Sequence, residues 1–597
     1  MKKTFYPLFV GGILSSGFQQ ANAGNNLQKP NILLILMDDL GYADVGFMPG
    51  ASPDISTPNI DAIAYDGTIF TSSYVCHPFS GPSRTGLMTG RMPHCLGAQY
   101  NLAAFSKKGI DTSEIFISNV MKDAGYYTGI VGKWHLGEET VYHPNNRGFD
   151  YFYGFLGGGH EYFSDTWINQ TTYNSLSYSE GNYNGEYNRP MMLNSNYVAT
   201  DKGLYCTDLL TDAAIGFFDN ASKDTKPFFL YLSYNAPHTP VQAKASDITA
   251  IKAKLGTKAA ADGSVRLTYT AMMYNVDVNF KRLIDKLKST GKFDNTLIVF
   301  LSDNGGKTTA GALNSPLKGA KGDTYEGGFR VPMFMHWPAG NVPQGYTNSY
   351  NFSSLDFYPT FAYLAGATIS PQKKYDGLNV WNDIINKTNP RKDSTIYAMR
   401  QQGGFNYTGV VKNNYKLYTS GNGTWYLYDL STDIGETKNI ASQFPDIVAA
   451  MKEAVYKWTW TIITPKFFDA PSYGFEASWI STNMPNFGKT FGALYNANDY
   501  KLNTGTSIIH FNNNIKSIIA QSGGSTVKIE TGSYNFSAVD AALYDIQGRL
   551  VQLEMNLSQT DTRVYTFNVD KRLSKGLYFV VAKAGSDCIS EPIVVSR

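Results

Sequence analysis

Cysteine is scarce and scattered in this chain of 597 residues. Its four are Cys76, Cys95, Cys206 and Cys588. No two stand at CxxC spacing, which excludes a zinc cluster of that type and a dense disulfide scaffold. Cys76 and Cys95 are the nearest pair, and the sequence leaves open whether they bridge or stay as free buried thiols. Net charge is missing too: 51 Lys and Arg face 49 Asp and Glu, a formal +2, and Lys2 and Lys3 supply the difference. A balanced chain lacks the basic excess of a nucleic-acid binder or a polybasic membrane-surface protein. No nucleic-acid partner is expected, and any anionic ligand needs a local cluster of cations. No segment after the first two dozen residues is long and apolar enough to span a bilayer, and no internal repeat is visible.

What is present is ample apolar material. Hydrophobic residues are 43% and charged residues 17% of the chain, enough for a large core and several domains. Aromatics reach 14%, with 41 Tyr and 35 Phe, leaving rings to spare for flat ligand faces such as sugars. Residues 1–23 read as a secretory signal peptide: Lys2-Lys3, a short apolar stretch from Phe5 to Phe18, and Ala21-Asn22-Ala23. The product is expected to be exported, to the periplasm, the cell surface or the medium.

Continuous apolar runs alternate with helical patterns. Ile32–Met37, Tyr127–Val131, Phe228–Leu232 and Leu297–Leu301 are apolar on both faces and suit central strands of a mostly parallel sheet. Thr57-Pro58 opens a helix that Gly67 closes, and Met273, Val276, Phe280, Leu283 and Leu287 recur at helical spacing. The expected fold class is α/β, a mostly parallel central sheet flanked by helices, over residues 24–380. A small α+β subdomain follows at 381–465, then a linker at 466–510 rich in Asn, Gly, Ser and aromatics. From Ile515 short strands dominate, with a turn at Gln547-Gly548, and 511–597 read as a terminal β-sandwich.

Each proposed parallel strand ends in polar residues. The first runs into Asp38-Asp39 and the last into Asp303-Asn304, while the other two lead to Lys133-Trp134-His135 and Asn235-Ala236-Pro237-His238. Ligands of open α/β sheets sit at the carboxyl ends of the strands. One polar strand end is usually a solvated loop; four complementary ones describe a crevice. Asp38, Asp39, Asp303 and Asn304 offer hard oxygen ligands, which suit Ca²⁺ where substrate oxygens complete a flexible shell. Against this, an Asp-Asp pair alone can merely cap a loop.

The sharpest signal is Ser80-Gly81-Pro82-Ser83-Arg84-Thr85-Gly86-Leu87-Met88-Thr89-Gly90-Arg91. Pro82 and Ser83 suit a helix start, so Ser80 would sit beside free backbone N–H groups, with Arg84 one turn in reaching back towards it. An ordinary N-capping serine is the bland alternative. The whole segment, however, is similar position by position to the signature of the formylglycine-dependent type I sulfatases, serine version, of the alkaline phosphatase-like superfamily. The resemblance extends through Asn31–Asp39, Gly132–Gly137, Gly148–Asp150, Asn235–His238, Ser302–Gly305, Gly322–Pro332 and Leu427–Leu430, covering about residues 28–460. A second register, starting at Cys76-His77-Pro78, fails because Ser80, not an arginine, stands four places on. The tail, Leu543–Arg549 and Lys575–Arg597, resembles a type IX secretion sorting domain.

The resemblance implies that a formylglycine-generating maturase oxidises Ser80 to an aldehyde, whose hydrate attacks sulfur and then collapses to expel sulfate, an exit that a serine sulfate lacks. It implies Ca²⁺ on Asp38, Asp39, Ser80, Asp303 and Asn304, with Arg84 beside residue 80. Lys133 and Lys321 go on the sulfate oxygens, His135 is base for sulfate release, and His238 is acid for the departing alcohol. Lys321 is preferred to Lys318 because its Lys-Gly precedes Asp323–Gly328. These residue types fit the chemistry, since a transferring anion needs cations and an alkoxide needs a proton; taken singly, each is as readily a structural or surface group. The polar, aromatic stretch 157–200 is expected to line a sugar pocket, with His160 a sugar contact. The expected substrate is a sulfated polysaccharide or mucin-type glycan, and the expected secretion machinery reads the N-terminal signal and the C-terminal domain. The rivals are a phosphate mono- or diester hydrolase of the same superfamily and a non-catalytic glycan-binding relative in which Ser80 stays serine.

Overall fold

The computed structural model describes residues 29–175, 185–223, 225–402, 405–421, 424–459, 461–463 and 465–468, followed by eight strands between 515 and 595. The signal peptide, most of the expected linker and the turn at 547–548 lie outside the described residues.

The large sheet contains β1 (Asn31–Met37), β2 (Thr68–Tyr74), β3 (Tyr127–Lys133), β4 (Tyr151–Phe155), β5 (Met192–Leu193), β6 (Asn196–Tyr197), β7 (Phe228–Ser233), β8 (Thr296–Ser302), β9 (Arg330–His336), β10 (Tyr346–Asn348) and β11 (Phe352–Ser353). Their order is β10-β2-β9-β8-β1-β7-β3-β4-β5-β6, with β11 also on β2. The centre, β8-β1-β7-β3-β4, is parallel. β9 runs antiparallel to both β8 and β2. β1 shows why the apolar runs are unbroken: Leu33, Ile35 and Met37 enter one core while Ile32, Leu34 and Leu36 enter the other. Helices Pro58–Tyr65, Cys206–Ala221 and Val265–Ser289 cover the first face; Ser80–Thr89, Ile117–Asp123 and Phe357–Leu364 cover the second.

Thr57 stands at the expected N-cap position, but its side chain makes no capping hydrogen bond. It precedes Pro58, but its Oγ1 accepts from the Gly46 N–H and donates to Asp61, so it ties a loop down rather than capping.

A second sheet follows, β12 (Ile396–Gln402), β13 (Phe405–Lys412), β14 (Tyr415–Thr419) and β15 (Tyr426–Asp429), antiparallel in sequence order. One face takes the helix Pro445–Thr459. The other meets Tyr74, Phe329 and Val331 of the large body, where Lys416 Nζ pairs with Glu326 at 2.8 Å, both fully buried. The chain expected to loosen at 466 is still packed there: Phe467 and Phe468 are buried, and the Lys466 N–H donates to the Gly97 carbonyl. The last eight strands form two antiparallel four-stranded sheets, Ile515–Gln521 with Thr526–Thr531, Val564–Asn568 and Gln559–Asp561, and Leu550–Leu557 with Val539–Asp545, Gly576–Ala584 and Asp587–Val595. The two sheets touch each other as a sandwich. Cys76, Cys95 and Cys206 are free thiols.

Candidate active site

The carboxyl ends of β1, β3, β7 and β8 meet the start of the helix Ser80–Thr89. Phe79 occupies the N-cap and Ser80 the first turn, and Gly90, at φ 66°, closes the helix in the left-handed conformation. Ser80 Oγ lies 3.3 Å from Asp38 Oδ1 and 3.2 Å from Asn304 Oδ1. Asn304 donates to Asp39 Oδ1 at 2.7 Å, and the Asp39 N–H donates to Asp303 Oδ1 at 3.2 Å. The two strand ends are thereby stitched into one acidic hollow with Ser80 above it. Cys76 turns away, its Sγ facing the Pro82 and Ser83 carbonyls.

Cations surround the acids. Arg84, fully buried, donates from Nε and Nη2 to Asp303 Oδ2 at 3.0 and 2.8 Å, and from Nη1 to Tyr231 and Ser233 of β7. It therefore reaches under the acids. Lys133 Nζ is 2.6 Å from Asp38 Oδ2, and Lys321 Nζ is 2.6 Å from Asp39 Oδ1. Lys318 instead lies over the Tyr325 ring and donates to the Glu436 carbonyl. Burial, with Asp303 beside it, pushes the Asp38 carboxyl up; at Asp39 burial is outweighed by Lys321, His238 and the hydrogen bond from Asn304 together, which hold that carboxyl below its usual range.

The histidines are neutral. Burial and the nearby Lys133 hold His135 well below its ordinary value, and burial with Lys321 lowers His238 to about 3. Against the Thr239 carbonyl 2.6 Å away, Nδ1 of a neutral His238 is the donor, which leaves Nε2 unprotonated 3.8 Å from Asp39 Oδ2. Asp38, Asp39 and His238 can bring one ligand atom each within 4.8 Å of one another. Asp39 and His135 both hold left-handed backbone, φ 64° and 61°, a conformation that costs energy outside glycine and gathers at functional sites.

A cavity of about 410 Å³ opens onto Ser80, Lys133, His135, His238 and Lys321. His160 is not among its lining residues. Fully buried, with its ring nitrogens 2.9 and 2.8 Å from the Glu161 and Arg189 carbonyls and its ring against Trp167, it is a packing group under the loop rather than the expected sugar contact. The stretch that carries it does reach the cavity, through Gly158, Glu186 and Tyr187. Sequence reasoning also missed Asn101, Lys307, Arg400 and Gln401 in the lining. Ser233, the partner of Arg84 beneath the site, was missed as well, although a hydroxyl ending an apolar strand is a local signal.

Comparison with known proteins agrees with this geometry. The sulfatase family model matches residues 30–367, the model for the C-terminal region of N-sulphoglucosamine sulphohydrolase matches 321–459, and that of a secretion system C-terminal sorting domain matches 507–596. An uncharacterized sulfatase of Escherichia coli, YdeN, is 32% identical over 72% of this chain and 85% of its own. Mouse N-acetylgalactosamine-6-sulfatase is 30% identical over 69% and 76%. Among solved structures, Ps i-CgsB in complex with k-i-k-neocarrahexaose is 44% identical, with a TM-score of 0.72, covering 78% of this chain and 100% of that one. A phosphonate monoester hydrolase of Agrobacterium radiobacter, 19% identical at a TM-score of 0.50, shares the fold alone. The chain belongs to the sulfatase family and is a sulfuric ester hydrolase.

Proposed function

We propose that this protein is an exported carbohydrate sulfatase whose nucleophile is formylglycine made from Ser80 and whose metal is one Ca²⁺. The observation that carries the reading is the approach of Asp38 and Asn304 to Ser80 Oγ, with Asp39 and Asp303 tied to them by hydrogen bonds. The donor set fits the ion: three carboxylates and an amide oxygen, with Asp39 Oδ2 buried and without a hydrogen-bond partner. Bound there, Ca²⁺ supplies Lewis-acid stabilisation of charge on sulfate oxygens. Hydrated formylglycine supplies both the attacking oxygen and the means of releasing sulfate.

The other roles follow from position and protonation. Lys133 and Lys321, at the cavity floor, neutralise the oxygens of the bound ester. His135, kept neutral by its surroundings, can take a proton during release; its Nε2 lies 3.1 Å from where a Cβ on Gly158 would stand, so Gly158 keeps that nitrogen uncovered. His238, with Nε2 unprotonated in the free site, is assigned as acid for the departing alcohol and takes up that proton at Nε2 as the anionic ester binds and favours the protonated form. The complex of a 44% identical protein with a neocarrahexaose supports an oligosaccharide or polysaccharide substrate. The sorting-domain match supports export through secretion machinery that reads the C-terminal domain.

The test is mass spectrometry of the peptide containing Ser80, from protein co-produced with a formylglycine-generating maturase. The expected result is the loss of two hydrogens at residue 80, with sulfate release abolished in Ser80→Ala. Turnover that survives Ser80→Ala overturns the reading.

A further inference from the structure

The two lysines of the cavity lining nearest Ser80 are matched by acids, Lys133 by Asp38 and Lys321 by Asp39, and behind them Arg84 is matched by Asp303. Lys307 is different. It lines the same cavity, yet its ammonium makes no ion pair or hydrogen bond with a described residue. Its backbone is nevertheless fixed. The Gly306 N–H donates to Asn314 Oδ1 at 2.9 Å, and the Lys307 carbonyl accepts from the Ala310 N–H at 2.9 Å. The ammonium thus springs from a firm point three residues past Asn304.

Arg400 enters the lining from another element, β12 of the second sheet. Its Nη1 donates to the Gly322 carbonyl at 2.9 Å, next to Lys321, and its guanidinium carbon stands 4.7 Å from the ring centre of Phe79, next to Ser80. Two distant parts of the chain therefore bring positive charge to the borders of one hollow. Glu186, almost fully buried, lies in the same lining and accepts from the Gly158 N–H.

We propose that Lys307 and Arg400 form a second anion subsite, which recognises another negatively charged group on the glycan, a sulfate ester or a carboxylate, beyond the sulfate being removed. This rests on the sulfatase reading above. The physical basis is that a charge-assisted hydrogen bond to an anion is about twice as strong as a neutral one, and guanidinium suits the planar pair of oxygens such groups present.

The test uses a disulfated oligosaccharide, its counterpart lacking the second sulfate, and a third probe with a uronate in place of that sulfate. For Lys307→Met and for Arg400→Gln, kcat/KM on the disulfated probe is expected to fall about tenfold, mainly through KM, the loss of one charged contact of about 1.4 kcal/mol. On the monosulfated probe each variant is expected to stay within about twofold of the parent. A similar fall on the uronate probe shows that the subsite reads charge, and a fall on the disulfated probe alone shows that it reads sulfate. Equal effects on the disulfated and monosulfated probes, including no effect on either, overturn the proposal. Failure of the parent protein, oxidised at residue 80, to release sulfate from any probe overturns the sulfatase reading instead.

Discussion

Ser80 and Arg84 lie one helical turn apart, and the structure separates what each supplies. Ser80 contributes a small hydroxyl at the lip of the hollow; Arg84 is a buried wedge whose guanidinium is bonded to Asp303 and to the β7 hydroxyls beneath. Removing a side chain that pairs with a buried carboxylate leaves an uncompensated charge and costs about 3–5 kcal/mol, whereas trimming one hydroxyl costs about 1 kcal/mol. Both Arg84→Met and Ser80→Ala are therefore expected to lose sulfate release, but only Arg84→Met should move the denaturant midpoint far. Equal midpoints for the two variants would show that Arg84 does not support the acidic hollow.

At the scale of elements, β3 shows how a strand delivers its cargo. Gly132, at φ 107°, lies so close to β7 that an added Cβ would stand 1.9 Å from the Ser233 carbonyl. Only glycine permits that approach, and Lys133 and His135 follow one and three residues later. Gly132→Ala combines left-handed strain with a backbone clash and should cost about 3 kcal/mol or more. It should also reduce kcat in the soluble fraction, because Lys133 and His135 shift with the strand end; thermal melts and initial rates check both. The central strands β1, β3, β7 and β8 were legible in the sequence because burial on both faces leaves an unbroken apolar run; β4, five residues long with Gly154 inside, was not singled out. β2 and β9 were not singled out, since Thr68–Tyr74 mixes polar and apolar residues and Pro332 interrupts Arg330–His336. The register explains the proline: β2 carries an irregularity between Phe70 and Ser73, and Pro332, which has no N–H to donate, falls opposite it. The hollow itself was legible because its acids and Lys133 stand at strand ends, whereas Lys321, in the long connection before β9, was found through the family resemblance. Glu186, Lys307 and Arg400 were not, because only folding brings their segments together. His160 misled because a loop histidine in a polar sequence gives no sign of the Trp167 and Phe155 rings that enclose it.

Over the whole molecule, the catalytic sheet and the second sheet act as one body because polar as well as apolar groups are buried between them. Lys416 joins Glu326, while Cys76, Met92 and Tyr100 share a core with Val410, Leu427 and Trp458. His94 is fully enclosed in this region, its ring 5.3 Å from Trp458 and 5.5 Å from His77. Burial lowers its pKa from 6.5 to about 3. The folded state thus refuses a proton that the unfolded chain accepts below pH 6.5. Above that value His94 costs nothing through titration. As the pH falls from 6.5 towards 3 the unfolded state binds the extra proton, and stability declines. Replacing the ring with one of similar size that cannot titrate removes this contribution while retaining the packing on Trp458. His94→Phe is therefore expected to match the parent's melting temperature near pH 8 and to exceed it by a margin that widens steadily below pH 6.5. Parallel melting curves for the two proteins across that range would mean that His94 titrates alike in the folded and unfolded chains, and that the acid sensitivity of this contact region arises elsewhere.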